Sequence, residues 1–352
     1  MSLEKRINGF VQLGLFLKQF ELEEKNPTIS ALNDVFYDDF TTLILRQKAY
    51  NGWFDKQSVL KAVSEIGRSL SDEKLTNWLS NYAIPNDANK TIGVIMAGNI
   101  PLVGFHDFLS VLLSGNKIQA KLASTDNTLI RKIGEILIFI DPIFKTKISF
   151  VDKLENFDAV IATGSNNTSR YFELYFGKYP HIIRKNRSSV AIIHENDTAI
   201  ELSALGNDVF QYFGLGCRSV SKLYFPKGYR IDNFFEAILS DFQNVTQHNK
   251  YANNYDYHKA VYLLDNSQLL DNGFLLLKEE AALSSPVGVL NYEFYDSLEK
   301  LENHIEAHQH EIQCIVSSKN TPIDTLNFGE AQSPNLSDYA DGVDTIQFLL
   351  EL

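Results

Sequence analysis

An alternation of apolar strands with helices begins at residue 91 and constrains the fold of this chain more than any other feature. TIGVIMAG (91–98) is a short apolar run ending in glycine, and an apolar helix with a proline near its start is predicted over 101–115. KIQAKLA (117–123) predicts a second strand, and 126–140 a second helix. Such alternation indicates βαβ units around a mostly parallel sheet, which binds ligands at the carboxyl ends of its strands.

The alternation continues to residue 318 and predicts a second α/β unit. Further strands are predicted at KISFV (147–151), FDAVIATG (157–164), SVAIIHE (189–195), VSKLYFP (220–226), AVYLLD (260–265), VGVLNYEFY (287–295) and IQCIVSS (312–318). The remaining helices are predicted over 166–177, 198–212, 231–242 and 297–309.

The two ends of the chain read differently from this alternating region. Residues 1–80 are predicted to be helical, because apolar residues recur at helical spacing over 31–46 and 59–70. The tail, 327–352, begins as a polar loop and ends in IQFLLEL. NKYANNYDYHKA (249–260) is predicted to be a polar turn, with the lining of a ligand tunnel as the alternative.

Composition and charge exclude several classes of function. The chain has 352 residues, of which 44% are apolar and 22% charged, so two domains or one large domain with an insertion are expected. A formal net charge of −12 argues against nucleic acid or an anionic membrane as the main partner. No run of 18 apolar residues predicts a membrane span, and the N-terminus does not resemble a signal peptide. Two cysteines are too few for a disulfide framework, so a reducing cytoplasm is the expected location.

FGLGCRSV contains Cys217, the candidate nucleophile. A cysteine attacks as its thiolate, which nearby positive charge or oriented backbone N–H groups favour. Arg218 supplies such a charge, and Gly214 and Gly216 allow a tight turn and the close approach of a substrate. The alternative is a small buried apolar residue, a role that Cys314 fits within the apolar run IQCIV.

Two turns that follow predicted strands are the other candidate sites. GNIP (98–101) places the amide of Asn99 where a donor could stabilise an oxyanion, although Gly-Asn is equally a common turn pair. ATGS (162–165) leads into a helix whose N–H groups could bind a cofactor phosphate. The sequence contains no G-x-G-x-x-G motif, the usual dinucleotide signature.

Two polar clusters have simpler explanations. RKNR (184–187) would either grip a phosphorylated ligand or form a solvated loop. HIEAHQH presents His304 and His308 at i, i+4 spacing, but Ile305 occupies the position at which a zinc-protease helix carries glutamate. We therefore predict an exposed polar helix face there and no metal site.

Taken together, these segments resemble the aldehyde dehydrogenase superfamily, and within it the LuxC-type acyl-CoA reductases, which make fatty aldehyde for bacterial luciferase. The resemblance covers most of residues 90–345. Its most specific parts are AGNIPLVGFHDFLSVLLSGNKIQAKLAS, FGLGCRSVSKLYFP and NFGEAQSPNLSDYADGVDT. It implies an α/β fold of two Rossmann-like, three-layer domains with a helical N-terminal region.

The resemblance also implies roles for particular residues. Cys217 matches the family nucleophile, and Asn99 matches the oxyanion asparagine that precedes a proline two residues on. Lys121 matches the lysine that reaches the adenosine ribose of the cofactor. Gly164 and Ser165 match the turn beside the cofactor phosphates.

Departures from the family pattern refine the expected chemistry. Ser124 lies where NAD-preferring relatives often carry glutamate, and a neutral residue removes repulsion against a 2′-phosphate, so NADP(H) is expected. Alignment on Ser188 puts Ile183 at the glutamate that activates water in oxidising members, so hydrolysis of a thioester is disfavoured. Pro286 aligns with the Glu-x-Phe-Gly-Pro motif, but Ala282 replaces its glutamate, which alters how the nicotinamide-side ribose is held.

The resemblance predicts an acyl-CoA reductase that converts a fatty acyl-CoA, or another acyl thioester, to the aldehyde with NADPH through an acyl-cysteine and a thiohemiacetal. Two alternatives stay open: an NAD(P)-dependent aldehyde dehydrogenase, and a non-catalytic acyl-binding subunit of a larger complex. The resemblance also implies, as partners, the acyl thioester substrate and either a second copy of the chain in a homo-oligomer or an acyl-transferring protein.

The expected domains follow the same resemblance. They are a helical region packed on the cofactor domain (1–90), an NADP-binding α/β domain (91–187), a catalytic α/β domain with Cys217 (188–326), and a C-terminal segment that returns to the cofactor domain or an interface (327–352).

Overall fold

A computed structural model describes residues 1–22 and 24–352, with Asn166 described by its backbone alone. The chain divides into two compact units. The first consists of Met1–Lys185 together with Asn335–Leu352, and the second of Asn186–Pro334. The predicted fold, parallel α/β sheets with a helical N-terminal region, is confirmed.

The N-terminal region of the first unit is helical, as the apolar spacing predicts. Side-chain oxygens of Ser2, Asp55 and Ser71 accept backbone N–H groups and so begin the first, third and fourth of its helices. The helices are α1 (Leu3–Lys18), α2 (Ser30–Tyr50), α3 (Lys56–Ser69) and α4 (Asp72–Leu79).

These helices share one apolar core with the sheet of the first unit. Phe10, Phe16 and Phe40 are fully buried, and they belong to the same cluster as Ile92 and Ile133. Each large apolar side chain buried in this way contributes roughly 1.5–3 kcal/mol. The helical region is therefore part of the first unit and not an appendage.

The sheet of the first unit is parallel and consists of β1 (Thr91–Ile95), β2 (Lys117–Lys121), β3 (Ile148–Phe150), β4 (Ala159–Thr163) and β5 (His181–Arg184). Its strand order is β3-β2-β1-β4-β5. Ile95, the last residue of β1, pairs with Lys121 on one side and Ala162 on the other, so these strands end at one edge. The connecting helices are α5 (Phe105–Leu113), α6 (Thr128–Ile140) and α7 (Asn166–Phe176).

Arg184, the first residue of the basic cluster, is a structural residue of the first unit. It lies at the end of β5 and forms a buried ion pair with Asp107. Its Nη2 also donates to Thr345 Oγ1 (3.0 Å), at the start of the C-terminal helix α12 (Thr345–Leu350). Lys185 pairs with Glu173 (2.9 Å). Arg184 is therefore neither solvated nor open to a phosphorylated ligand.

The strands of the second unit are β6 (Ser188–Ile192), β7 (Val220–Pro226), β8 (Leu269–Asp271), β9 (Leu276–Glu279), β10 (Val289–Tyr295) and β11 (Ile312–Ser317). They form one sheet with the order β11-β6-β7-β10-β9-β8, which is parallel except for β8. Its helices are α8 (Ala199–Phe210), α9 (Asp232–Phe242), α10 (Asn249–Leu264) and α11 (Leu298–Ala307).

Helix α10 corrects two predictions. AVYLLD (260–265) is not a strand, and 249–260 is not a turn, because both belong to this one helix. Its buried residues Tyr251 and Tyr255 are four positions apart, so they face the core from one side, while Tyr257, Leu263 and Leu264 on the same helix are exposed. A short apolar run reads alike in a strand and in a helix, and the long polar stretch before it hid the helical period.

Candidate functional site

Asn99 lies on a turn that follows β1, and other elements hold this turn through its neighbour Gly98. Asn99 is exposed. The Gly98 carbonyl accepts hydrogen bonds from Asn51 Nδ2 (3.2 Å) and Thr125 Oγ1 (3.1 Å). A Cβ added to Gly98 would lie 2.7 Å from both Ala123 Cβ and Thr125 Oγ1, so the close approach requires glycine. The turn thus presents Asn99 from a fixed backbone.

The other residues predicted to bind a cofactor lie at the same carboxyl edge of the first sheet. Lys121 ends β2 and is exposed, and Ser124 is exposed on the turn that follows. Gly164 and Ser165 follow β4, and Ser165 Oγ caps α7 by accepting the N–H of Thr168 (3.3 Å). Because β1, β2 and β4 are adjacent and parallel, the structure brings these residues to one edge together with Asn99.

Asp126, which the sequence did not reveal as a functional residue, supports the turn of residues 98–102, which we call the asparagine turn. Its Oδ2 accepts the N–H of Leu102 (2.8 Å), whose φ of 58° lies in the left-handed region. Its buried Oδ1 has no hydrogen-bond partner among the described residues. Burial raises the pKa of Asp126 to about 7, although the bond from Leu102 lowers it. In the sequence STDN an aspartate reads as an ordinary turn residue, so no signal marked it.

Cys217 lies on a tight turn of residues 216–219, which we call the cysteine turn. The N–H of Ser219 donates to the Gly216 carbonyl (3.0 Å) and closes the turn, and Cys217 is exposed at its second position. Just before it, Tyr212 and Phe213 have left-handed φ values of 55° and 58°. Left-handed backbone at residues other than glycine costs about 1–3 kcal/mol each and persists only where the surroundings impose it.

Stacking of the Phe213 ring on a buried histidine helps to impose the left-handed backbone conformation of Phe213. The rings of Phe213 and His248 stack with centroids 4.1 Å apart, and His248 caps α10 by accepting the N–H of Tyr251. Gly214 continues the left-handed run with a φ of 75°. The glycine expected to allow a sharp turn before Cys217 is therefore needed for its backbone conformation.

The cysteine turn precedes β7, so it lies at the amino edge of the second sheet. Ser189 Oγ, at the start of β6, donates to the Cys217 carbonyl (2.9 Å) and lies 3.1 Å from Cys314 Sγ. A hydroxyl has one hydrogen, so the thiol of Cys314 is the donor in the second contact. Cys314 is half-buried in β11, not a fully buried core residue as predicted, and the described cysteines form no disulfide.

The residues after Cys217 are tied to a second segment, residues 329–332. Arg218 Nε donates to the Ala331 carbonyl, and Gln332 Nε2 donates to Ser219 Oγ (3.2 Å). Asp208 accepts the backbone N–H of Ala331 (3.0 Å). Arg218 is thus hydrogen-bonded to backbone, a contact that the sequence did not reveal.

Residues 282–286 align with the Glu-x-Phe-Gly-Pro motif, and side chains from other elements bind the backbone carbonyls of this segment. Asn291 Nδ2 donates to the carbonyl of Ala282 (2.9 Å), and Ser221 Oγ to that of Leu283 (2.8 Å). The buried Lys222 pairs with Glu293 (2.7 Å); burial lowers the pKa of Lys222 and Glu293 raises it. Strands β7 and β10 therefore shape this segment without the family glutamate.

Solved structures of similar fold are aldehyde dehydrogenases. Aldehyde dehydrogenase 21 from Physcomitrella patens, in complex with succinate, is 12% identical with a TM-score of 0.64, covering 97% of this chain and 84% of that one. An NAD-dependent aldehyde dehydrogenase from Sinorhizobium meliloti is 12% identical with a TM-score of 0.63, covering 96% and 72%. An aldehyde dehydrogenase from Mycobacterium tuberculosis complexed with NAD+ is 12% identical with a TM-score of 0.57, covering 88% and 73%. The fold is that of an aldehyde dehydrogenase.

Comparison with protein-family models identifies a more specific family within this class of fold. The model of the family "Acyl-CoA reductase (LuxC)" matches residues 14–278, which is more than half of the chain. The chain belongs to the LuxC acyl-CoA reductase family, and family and fold together make it an acyl-CoA- or aldehyde-related oxidoreductase. No curated protein matches it. Within the described residues, no helix is both long enough and apolar enough to cross a membrane.

Proposed function

We propose that this protein is an NADPH-dependent acyl-CoA reductase whose acyl acceptor is Cys217. The observation that carries the proposal is the exposed Cys217 on a turn that Ser189 and Arg218 anchor in the same unit. A cysteine kept for packing would be buried, whereas a nucleophile must be accessible. Membership in the LuxC family supports an acyl thioester as the substrate.

The proposed reaction has two stages. The Cys217 thiolate attacks the acyl-CoA carbonyl carbon, a new carbon–sulfur bond forms, and the CoA thiolate leaves. We assign stabilisation of the oxyanion to the Asn99 amide and the Cys217 backbone N–H. After hydride addition to the enzyme thioester, the thiohemiacetal oxyanion re-forms its carbonyl and expels the Cys217 thiolate, which releases the aldehyde and restores the enzyme.

Residues at the carboxyl edge of the first sheet fit a phosphorylated dinucleotide. Lys121 is an exposed cation there, and α7 begins at the same edge after Ser165, with N–H groups that favour phosphate. Ser124 is exposed and neutral, so it does not repel a 2′-phosphate. When bound, NADPH supplies the hydride, and the protein supplies position and electrostatics.

The environment of position 183 favours reduction over oxidation. Forming an acid from the enzyme thioester requires a base that activates water, and the residue aligned with that base is Ile183. Its side chain packs in an apolar cluster with Leu154, Val160 and Ala162. Collapse of the thiohemiacetal oxyanion needs no such base, so the reductive direction is compatible with this site.

Incubation of the purified protein with acyl-CoA and NADPH tests the proposal. We expect one NADPH oxidised and one CoA released for each aldehyde formed. Faster formation of carboxylate from aldehyde and NAD(P)+ would instead indicate an aldehyde dehydrogenase. Failure to bind cofactor, together with no acylated cysteine, would indicate a non-catalytic acyl-binding subunit.

A further inference from the structure

Two side chains hold Ala331 in the 329–332 segment, one at its backbone N–H and the other at its carbonyl. Asp208, near the end of α8, is fully buried and accepts the N–H of Ala331 (3.0 Å) and that of Gly329 (2.6 Å). Arg218, the residue after Cys217, donates its Nε to the carbonyl of the same Ala331. Ala331 therefore links a buried carboxylate to the cysteine turn.

The local structure makes this link stiff. Ala331 is fully buried, and Gly329 has a φ of 88°, a conformation that side chains rarely adopt. The bond from Gln332 to Ser219 Oγ (3.2 Å) adds a second tie to the cysteine turn. By contrast the side chain of Cys217 is exposed.

We propose that Asp208 and Arg218 are positioning residues for acyl transfer, which hold the cysteine turn through Ala331 so that Cys217 is aligned with the thioester carbonyl. This inference rests on the proposed function, because it gives the alignment of the turn a chemical purpose. Misplacement of a reacting atom by about 1 Å reduces a rate on the order of 100-fold.

The charges around Asp208 agree with this arrangement. Burial raises the pKa of Asp208 to about 6, and neighbouring Glu330 acts in the same direction. The N–H groups of Gly329 and Ala331 and the guanidinium of Arg218 lower it. These bonds favour a carboxylate that accepts one N–H on each of its two oxygens at neutral pH, whereas an amide in its place offers only one accepting atom.

A competing explanation is that Arg218 acts by charge and favours the Cys217 thiolate. Arg218→Lys separates the two, because lysine keeps the positive charge but lacks the Nε that contacts Ala331. A charge effect predicts that this variant behaves like the wild type. Positioning predicts that it is as impaired as Arg218→Ala.

The experiment measures single-turnover release of CoA by the wild type, Arg218→Ala, Arg218→Lys, Asp208→Asn and the double variant Arg218→Ala/Asp208→Asn. Glu330→Gln is the matched control, since it removes a negative charge from the same segment and Glu330 contacts Asn327 instead. We expect acylation to slow by about 10- to 100-fold in each variant except the control. The double variant should be no slower than the worse single variant, because both residues act through Ala331.

Hydrogen exchange of peptides covering 214–222 and 327–334 supplies a readout without substrate. We expect faster exchange of both peptides in Asp208→Asn and wild-type exchange in Glu330→Gln. Wild-type acylation by Arg218→Lys, or by an Asp208→Asn variant that is merely less stable, would overturn the proposal. If the wild type forms no acyl-cysteine, the proposed function fails and alignment for acyl transfer fails with it; exchange then still shows whether Asp208 holds the turn.

Discussion

The two sheets of this protein present their candidate residues at opposite edges. In the first unit, Lys121 ends one parallel strand and Asn99 and Ser165 follow two others, so all three lie at the carboxyl edge. In the second unit, Cys217 precedes β7 and lies with Ser189 at the amino edge. Fold rules for parallel sheets point to the first edge and would not have located the cysteine.

The difference extends to how each turn is held. The asparagine turn is supported by Asn51, Thr125 and Asp126, which all contact backbone between Gly98 and Leu102. Contacts to the cysteine turn come from β6 and from the distant 329–332 segment. Under the proposed function, the first edge binds the cofactor and the second carries the acyl chemistry.

Replacement of Cys217 tests the amino edge and has the largest expected effect. Cys217→Ala should lower aldehyde formation on the order of 10⁴-fold or more, because no nucleophile remains to accept the acyl group. Steady-state NADPH oxidation with acyl-CoA measures it. Cys314→Ala is the matched control and should retain most of the activity. A full loss of activity in this control alone would indicate that Cys314 in β11 is the nucleophile instead.

Replacement of Asn99 tests whether the carboxyl edge also contributes to the chemistry. Asn99→Ala should lower kcat by about 100- to 1,000-fold, the usual effect of removing one donor to an oxyanion. Asn77→Ala, at an exposed position on α4, is the control. An unchanged kcat in Asn99→Ala would restrict this edge to cofactor binding.

Substitution of Ser124 tests the assignment of the carboxyl edge to the cofactor. Ser124→Glu should lower kcat/KM for NADPH roughly 10- to 100-fold and spare NADH, because a carboxylate repels the 2′-phosphate. Ser124→Gln has similar length without the charge and should change the preference little. Equal effects of both substitutions would contradict the predicted position of the 2′-phosphate.

The buried carboxyl of Asp126 predicts that the free energy of unfolding depends on pH. The pKa of Asp126 is raised to about 7 in the folded state, so between about pH 4 and 7 the folded protein binds more protons than the unfolded chain. Its contribution therefore favours folding at low pH and is lost as the pH rises through 7, by at most about 1.4 kcal/mol per pH unit. Asp208, raised to about 6, acts in the same direction.

Thermal unfolding at pH 5.5, 6.5 and 7.5 measures this effect. Asp126→Asn should flatten the pH dependence of the melting temperature relative to wild type. Asp152→Asn, at an exposed position, should leave it unchanged. An unchanged dependence in Asp126→Asn would mean that the carboxyl is charged throughout this range.

Local patterns predicted the parts of the fold that depend on local sequence. The apolar run 220–226 became β7 with the same ends, and the strand–helix alternation led correctly to parallel sheets. Helix α10 was missed because its apolar end resembles a strand and its buried tyrosines stand among polar residues. Strands β8 and β9 are too short to show a period.

In the candidate site, too, some residues could be predicted from the sequence and others could not. Local sequence proposed Cys217 and Asn99 as candidates, and resemblance to a family gave them roles and added Lys121. Asp126 and Asp208 have no local signal, because their properties arise from burial that the tertiary fold creates. The partner of Arg218 lies 113 residues away in the sequence, and no spacing rule connects them.

The most direct test of the central claim is mass spectrometry of the protein after brief exposure to acyl-CoAs of several chain lengths. The account predicts an acyl group on the peptide that contains Cys217, lost with release of aldehyde when NADPH is added. It would be contradicted by an unmodified Cys217, or by an acyl group carried on Cys314 instead.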